Sequence, residues 1–292
     1  MITTRGLSKS YGSALVLDGV DLAVPQGSVY GLAGPNGAGK TTLINIVAGL
    51  RAATSGDVDV QTSSDQIAVL SDTPRFEPWL TGREVVTLAL SLATGATNYD
   101  RVDEVLGQTG LSDAASRRCA GYSRGMLQRL GIASTLVAGP SLILLDEPAS
   151  ALDPQGRREI LNLIADLRGQ ATVLFSSHIL GDVQEVCDTV GILHHGSLLF
   201  QGPLDELLVG NAVPRYLVKV SGGAAAIARE LDREDWVRTA SAEGDGRVTL
   251  EVTTTADAQQ HLPAALAKAS AIVVSLGPEE MSLERAFLEL TS

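Results

Sequence analysis

A glycine-rich stretch with the spacing G-x-x-x-x-G-K-T lies near the start of the chain, after a short apolar run and before an apolar-periodic segment. This order predicts a strand, a loop and a helix. Glycines leave no Cβ in the way and allow positive φ, so N–H groups of the loop can converge on a phosphate, and the helix N-terminus adds further attraction. The stretch therefore predicts a loop that binds the β- and γ-phosphates of a nucleotide. Its residues are Gly34, Pro35, Asn36, Gly37, Ala38, Gly39, Lys40, Thr41 and Thr42.

Two side chains of this loop have specific tasks in that interpretation. Lys40 supplies a full positive charge to the phosphates, and Thr41 offers the hydroxyl that a phosphate-bound Mg²⁺ usually takes as a ligand. The alternative is a glycine-rich turn with a chance Gly-Lys-Thr sequence. The flanking strand and helix patterns favour the nucleotide loop over that alternative.

Two neighbouring acids, Asp146 and Glu147, give the second strong signal. They follow the apolar run 142–145, which is typical of a strand buried on both faces. Ligands of α/β sheets bind beyond the C-terminal ends of such strands. Asp146 can hold Mg²⁺ directly or through water, and Glu147 can accept a proton from a water that attacks the γ-phosphate. Two solvated loop acids are the less favoured alternative beside such a phosphate loop.

One further turn and two further residues carry weaker signals for a role at the nucleotide. Ser123 and Gly125 lie in a glycine-bracketed turn before a predicted helix, which makes a second potential anion site. His178 follows a predicted buried strand, where it could donate to a γ-phosphate oxygen or be a structural histidine. Tyr11 could stack on a purine ring or be a half-buried tyrosine at a strand end, and the local sequence favours neither.

The elements around these residues divide the chain into two predicted domains, 1–210 and 211–292. Antiparallel strands are predicted before residue 25, and a helical section covers about residues 72–138. Buried strands return after it, with His194 and His195 expected as exposed residues of a hairpin turn. The second domain reads strand, helix, strand, strand, helix, strand and a last helix. It is predicted as a small α+β domain with the ferredoxin-like element order.

Composition restricts the classes of function. The net charge of -12 and the pI near 4.7 argue against non-specific binding to nucleic acid, so no nucleic-acid partner is expected. Cys119 and Cys187 stand far apart without metal or C-x-x-C spacing, and we expect reduced thiols of a cytosolic protein. We expect neither export nor a membrane span, because the N-terminus lacks an apolar signal core and no uninterrupted apolar run reaches the required ~18 residues.

Taken in order, the motifs between residues 2 and 208 resemble those of the ATP-binding subunits of ABC transporters. Gly34 to Thr42 resembles the Walker A loop, and Leu142 to Glu147 resembles Walker B with its catalytic glutamate. The remaining matches are the adenine-stacking aromatic at Tyr11, the signature motif at Tyr122-Ser123-Arg124-Gly125-Met126, the D-loop at Ser150-Ala151-Leu152-Asp153 and the switch histidine at His178. The signature is the discriminating feature, because other P-loop enzymes lack it.

This sequence departs from the family pattern at two places. The signature reads Y-S-R-G-M instead of L-S-G-G-Q, and it keeps the phosphate-touching residues as Ser123 and Gly125. Asp72 stands where the family usually has the Q-loop glutamine, and it becomes a third candidate Mg²⁺ ligand beside Thr41 and Asp146.

The resemblance implies a P-loop NTPase core with an antiparallel β subdomain and a helical subdomain, and ATP and Mg²⁺ as cofactors. Two copies would pack head to tail, and hydrolysis would depend on Glu147, Lys40 and His178. A separate integral membrane permease would hold the protein on the cytoplasmic face of the membrane, with the loop 74–80 in the docking groove or simply packed. The signature and the segment 282–291 are similar to those of bacterial exporter-type subunits.

The alternative function is a soluble ATPase of the same family that acts as a switch on nucleic acid or ribosomes. That alternative expects basic arms, long coiled-coil insertions or a tandem second ATPase domain. The sequence contains none of these features.

Overall fold

The computed structural model describes residues 1–209, 214–244, 246–279 and 282–291. The strands are β1 (Ile2–Tyr11), β2 (Ala14–Val20), β3 (Ala23–Val24), β4 (Val29–Ala33), β5 (Ser55–Val60), β6 (Ile67–Leu70), β7 (Leu142–Leu145), β8 (Thr172–Ser177), β9 (Thr189–His194), β10 (Ser197–Pro203), β11 (Arg215–Val220), β12 (Val237–Glu243), β13 (Arg247–Val252) and β14 (Val273–Pro278). The helices are α1 (Lys40–Val47), α2 (Gly82–Thr94), α3 (Tyr99–Gln108), α4 (Arg124–Leu136), α5 (Pro154–Asp166), α6 (Leu180–Val186), α7 (Leu204–Val209), α8 (Ala224–Leu231), α9 (Thr255–Lys268) and α10 (Leu283–Thr291).

A mainly parallel sheet forms the centre of the first part of the chain. Its strand order is β10-β9-β4-β8-β7-β6, and only β10 runs antiparallel to its neighbour. All residues of β4, β7 and β8 are buried, which explains why these strands read as continuous apolar runs. Because β4, β8, β7 and β6 are parallel neighbours, their C-terminal ends meet at one edge of the sheet.

A smaller antiparallel sheet covers the phosphate-loop helix. In it β1 pairs with β2, β3 and β5. Leu7 and Leu17 of this sheet share one buried core with Leu43 of α1 and Leu144 of β7. The predicted antiparallel β subdomain is therefore present, and it packs with the central sheet around α1.

The predicted helical section contains α2, α3 and α4. Helix α2 begins with a capping box, since Thr81 Oγ1 accepts the Glu84 N–H and Glu84 Oε2 accepts the Thr81 N–H at 2.8 Å. One boundary differs from the prediction, which placed both Ser123 and Gly125 in a turn before the last of these helices. The helix begins at Arg124, because Ser123 caps its N-terminus through the Met126 N–H.

Strands β11 to β14 form an all-antiparallel sheet in the order β12-β13-β11-β14. Helices α8 and α9 contribute Leu231 and Leu262 to the core beneath it. The strand-helix-strand-strand-helix-strand order is the one that the sequence predicts for this segment. The predicted boundary near residue 210 lies outside the described residues.

The contacts divide the chain differently from the predicted domains. Residues 1–207 form one unit together with the last helix, and the described residues between 208 and 282 form the other. The prediction placed all of 211–292 in one domain. The last helix belongs to the first unit because α10 packs against α6, where the Leu283 N–H donates to Gln184 Oε1 at 2.7 Å.

Both cysteines are free and buried. Burial raises the pKa of the Cys119 thiol and of the Cys187 thiol, so both pack as small apolar side chains. Within the described ranges, no helix combines the length and the apolar character needed to cross a bilayer.

Gly31 of β4 provides a test of how closely α6 approaches the sheet. A Cβ at this position would lie 2.4 Å from Val183 Cγ1 and 2.6 Å from Cys187 Sγ. We expect Gly31→Ala to lower the free energy of unfolding by about 1–3 kcal/mol through overpacking. Gly107→Ala is the control, because its Cβ would meet only Ser112 Oγ, at 3.5 Å. Equal urea midpoints for the two variants would contradict the close approach.

Candidate nucleotide site

The phosphate loop takes the shape that its glycines predict. Gly37 and Gly39 have φ of +82° and +109°, and a Cβ at Gly34 would lie 2.2 Å from the Leu193 carbonyl oxygen. Helix α1 begins at Lys40 without a side-chain cap and without an acid in its first turn. Its N-terminal N–H groups and its dipole therefore face the loop without competition from a capping side chain.

Lys40 crosses the loop with its side chain buried. Its Nζ donates to the carbonyl oxygens of Gly34 at 2.8 Å and Pro35 at 3.2 Å. The same atom lies 3.3 Å from Glu147 Oε1. The loop thus fixes one positive charge beside the end of β7.

Asp146 is almost fully buried, at 2 % exposure. The Ser176 hydroxyl donates to its Oδ1 at 2.6 Å. Burial raises the pKa of Asp146, hydrogen bonds from Ser176 and Thr41 oppose that rise, and the negative charges of Asp72 and Glu147 add to it. A cation at this carboxylate would relieve that unfavourable environment.

The donor set at this point fits Mg²⁺. The Thr41 hydroxyl, which lowers the pKa of Asp146, and the Asp146 carboxylate are both hard oxygen ligands. No three His, Cys, Asp or Glu side chains in the described part of the chain form a metal site by themselves. Mg²⁺ usually takes one or two protein ligands and fills the rest of its coordination shell with water and substrate phosphates.

Glu147 connects the acids to the predicted switch histidine. His178 Nδ1–H donates to Glu147 Oε2 at 2.7 Å, and the Glu147 N–H donates to Ser176 Oγ at 2.9 Å. The backbone of Glu147 has φ of +50°, which is unusual for a residue with a Cβ. Its carboxylate is thereby aimed between Lys40 and His178.

Two supporting residues were missed by the sequence reasoning. Ser176 bonds both Asp146 and Glu147, and its signal was a polar side chain directly after the apolar run 173–175 of a buried strand. Asp182 of α6 is buried and accepts from Arg157 Nε at 2.6 Å and Ser177 Oγ at 3.4 Å. Burial raises the pKa of Asp182, against the hydrogen bond and charge of Arg157. This ion pair holds the segment that follows His178, and nothing in the local sequence pattern pointed to it.

A cavity of about 250 Å³ opens over these groups. It is lined by Val16, Asn36, Gly37, Ala38, Gly39, Lys40, Thr41, Thr42, Asp72 and Glu147. Asp72 and Thr41 line this cavity together, whereas Asp146, the remaining candidate Mg²⁺ ligand, does not. A larger cavity, about 600 Å³, lies in the second unit beside Trp236 and His261, but no glycine loop or buried lysine lines it.

Seven predicted site residues do not line this cavity: Tyr11, Gly34, Pro35, Ser123, Gly125, Asp146 and His178. Tyr11 lies at the end of β1, where Lys9 Nζ and Arg51 Cζ stand 5.0 Å and 5.8 Å from its ring centroid. Ser123 caps α4, and a Cβ at Gly125 would lie 3.4 Å from Leu152 Cδ2. The signature turn therefore packs beside the turn that follows Glu147, outside the phosphate loop of its own chain.

Comparisons with known proteins agree with this geometry. The family model described as ABC transporter matches residues 17–150. The chain is 40% identical over 213 residues to the ABC transporter ATP-binding protein YxlF of Bacillus subtilis, over 71% of this chain and 72% of that protein. It is 38% identical over 218 residues to the bacitracin transport ATP-binding protein BcrA of Bacillus licheniformis, over 71% of each chain.

A solved structure gives the same result for the fold. It is a dimeric ATP-binding cassette in a post-hydrolysis state bound to ADP and Pi. The match has a TM-score of 0.64 and 26% identity, and it covers 70% of this chain and 99% of that one.

Ser176 provides the test of this site. In an assay of Mg²⁺-dependent ATP hydrolysis, we expect Ser176→Ala to lower kcat by about tenfold or more, because both acids lose the hydroxyl that orients them. Ser28→Ala is the matched control, since Ser28 is also buried and donates only to the Pro25 carbonyl, at 2.8 Å. A kcat for Ser176→Ala equal to that of the control would remove Ser176 from the site.

Proposed function

Because this chain belongs to the family of ABC transporter ATP-binding proteins, we propose that it powers export through a separate membrane permease with Glu147 as the base of ATP hydrolysis. The observation that carries the residue assignment is the position of the Glu147 carboxylate. It lies 3.3 Å from Lys40 Nζ and 2.7 Å from His178 Nδ1, beside the buried Asp146.

The bound nucleotide is held by the loop and by α1. Backbone N–H groups at the start of α1 and the charge of Lys40 bind the β- and γ-phosphates. Thr41 and Asp146 would hold Mg²⁺, and Asp72 lines the same cavity as Thr41. When bound, Mg²⁺ neutralises the charge that develops on the phosphate oxygens.

Glu147 activates the attacking water. Its carboxylate accepts the proton as the water oxygen bonds to the γ-phosphorus and the bond to the β-phosphate oxygen breaks. His178 holds that carboxylate in place through Nδ1, and its Nε2 is assigned to a γ-phosphate oxygen. The ion pair of Arg157 with Asp182 supports this arrangement by fixing α6 behind His178.

The second copy of the chain supplies Ser123 and Gly125. Neither residue lines the cavity over its own phosphate loop, and the signature turn packs beside Leu152 instead. A site that uses them would take the signature turn of another copy. A head-to-tail dimer satisfies this need, because each copy gives a phosphate loop to one site and a signature turn to the other. Tyr11 is assigned to the adenine ring; its face is exposed enough to stack, and its cationic neighbours lie beside it.

The loop 74–80 is assigned to the permease. Trp79 within it is 63 % exposed, which is unusual for so large an apolar side chain. Pro74 and Phe76 of the same loop line a groove of about 370 Å³ together with Leu70 and with polar residues that include Arg75 and Thr135. Docking there would hold the chain on the cytoplasmic face of the membrane. The net charge of -12 disfavours the alternative function on nucleic acid.

The assignment of Glu147 predicts a trapped dimer. We expect Glu147→Gln to bind ATP normally and to hydrolyse it about 100-fold more slowly or worse, since the amide cannot take the proton. ATP should then convert the protein to a dimer, measured by light scattering after size exclusion. Glu104→Gln, on the surface of α3, is the control. Normal turnover in Glu147→Gln, or a strict monomer with ATP, would contradict the proposal.

The assignment of the loop 74–80 predicts a separate effect of Trp79. Trp79→Ala should leave the ATPase activity of the isolated chain unchanged and should reduce its stimulation by the permease that co-purifies with it in detergent. Leu92→Ala is the matched control, because Leu92 on α2 is 79 % exposed and lies outside the loop. Equal stimulation of the Trp79 variant and the control would exclude the docking role.

A further inference from the structure

The last helix of the chain lies against the element that follows the switch histidine. Leu283 and Ala286 of α10 are buried, and α10 packs against α6. The Leu283 N–H donates to Gln184 Oε1 at 2.7 Å, across 99 positions of sequence. Helix α6 begins at Leu180, only two residues after His178. The chain end is therefore fixed to the segment that carries His178.

The same helix contacts a second element through Phe287. Its ring meets the imidazole of His194 edge to face, with centroids 5.7 Å apart. The sequence predicts His194 and His195 as exposed residues of a hairpin turn. His195 is exposed as predicted, but His194 is half-buried as the last residue of β9. The two imidazole rings are tilted by 54° to each other, with centroids 4.1 Å apart. Phe287 thus packs on the base of the β9–β10 turn.

That turn supports the phosphate loop from below. The Gly196 N–H donates to the Ala38 carbonyl oxygen at 3.1 Å, and the Gly196 carbonyl oxygen accepts the Asp18 N–H at 2.9 Å. The Leu193 carbonyl lies so close to Gly34 that no Cβ fits between them. A displacement of the turn would therefore move the loop that binds the phosphates.

We propose that α10 is a positioning element of the ATPase site, with Leu283 holding the His178 segment and Phe287 holding the turn under the phosphate loop. The His178 segment, which follows β8, and the β9–β10 turn under the phosphate loop both contact this one helix. Because both contacts are made by α10, loss of α10 from α6 would loosen them together. Hydrolysis then requires α10 to remain packed against α6. This inference rests on the roles proposed above for Lys40 and His178.

The test uses the full chain and three alanine variants in α10. Phe287→Ala removes the ring that meets His194, and Leu283→Ala removes the buried side chain at the start of α10 while keeping the N–H that donates to Gln184. Leu288→Ala is the matched control because Leu288 is 65 % exposed on the same helix. We expect the first two variants to lose kcat for ATP by about tenfold or more, since small misplacements of catalytic groups cost rate steeply. Leu288→Ala should retain the wild-type kcat and KM.

A second readout separates positioning from general destabilisation. Hydrogen exchange should accelerate around Ala38 and Gly196 in Phe287→Ala, and in α6 in Leu283→Ala, with the remaining core unchanged. Phe287→Leu should recover part of kcat, because it keeps apolar volume against His194. If an alanine variant does not fold, Phe287→Leu and Gln184→Ala carry the same test, the latter by removing only the acceptor of the Leu283 N–H.

The two possible failures are distinguishable. If wild-type protein is active and the Phe287 and Leu283 variants match Leu288→Ala in kcat, KM and exchange, the role of α10 is overturned while the ATPase assignment stands. If His178→Ala and Lys40→Ala retain wild-type turnover, the proposed site itself is overturned.

Discussion

The hydroxyl of Ser176 holds the two neighbouring acids at the end of β7 in separate positions. It donates to Asp146 Oδ1 at 2.6 Å and accepts the Glu147 N–H at 2.9 Å. One carboxylate is thereby kept against Thr41, and the other turns toward Lys40 and His178. Without that division, adjacent side chains of like charge would compete for the same cation. The rest of the site depends on this one cross-strand contact between β7 and β8.

The arrangement has an energetic cost that the surrounding sheet must offset. Lys40 and Asp146 are both almost completely buried, and buried charges are tolerated only with close partners. The positive φ of Glu147 costs a further ~1–3 kcal/mol. Strands β4, β7 and β8 are buried along their full length and supply the apolar packing that maintains the strained turn. The apolar packing of the sheet thus offsets the energetic cost of the strained, charged residues at its edge.

Helix α10 also contributes to the stability of this site, although local sequence gave no sign of it. Helix α10 follows the second unit in sequence but packs with the first. Through α6 it reaches the segment of His178, and through His194 it reaches the turn beneath the phosphate loop. The site is consequently stabilised by a helix that lies far from it in sequence.

Local sequence determined the phosphate loop, the acids after β7, the capping box of α2 and the element order of the second unit. Each of these is specified by neighbouring residues, through glycine conformations, apolar periodicity or short-range hydrogen bonds. Only the tertiary structure showed that Ser176 joins Asp146 to Glu147, that Asp182 supports His178, and that α10 returns to the first unit. These contacts join residues about 25 to 100 positions apart, so no local pattern encodes them. They arise when parallel strands align their ends and bring distant polar groups to a common edge, which the folded sheet alone can decide.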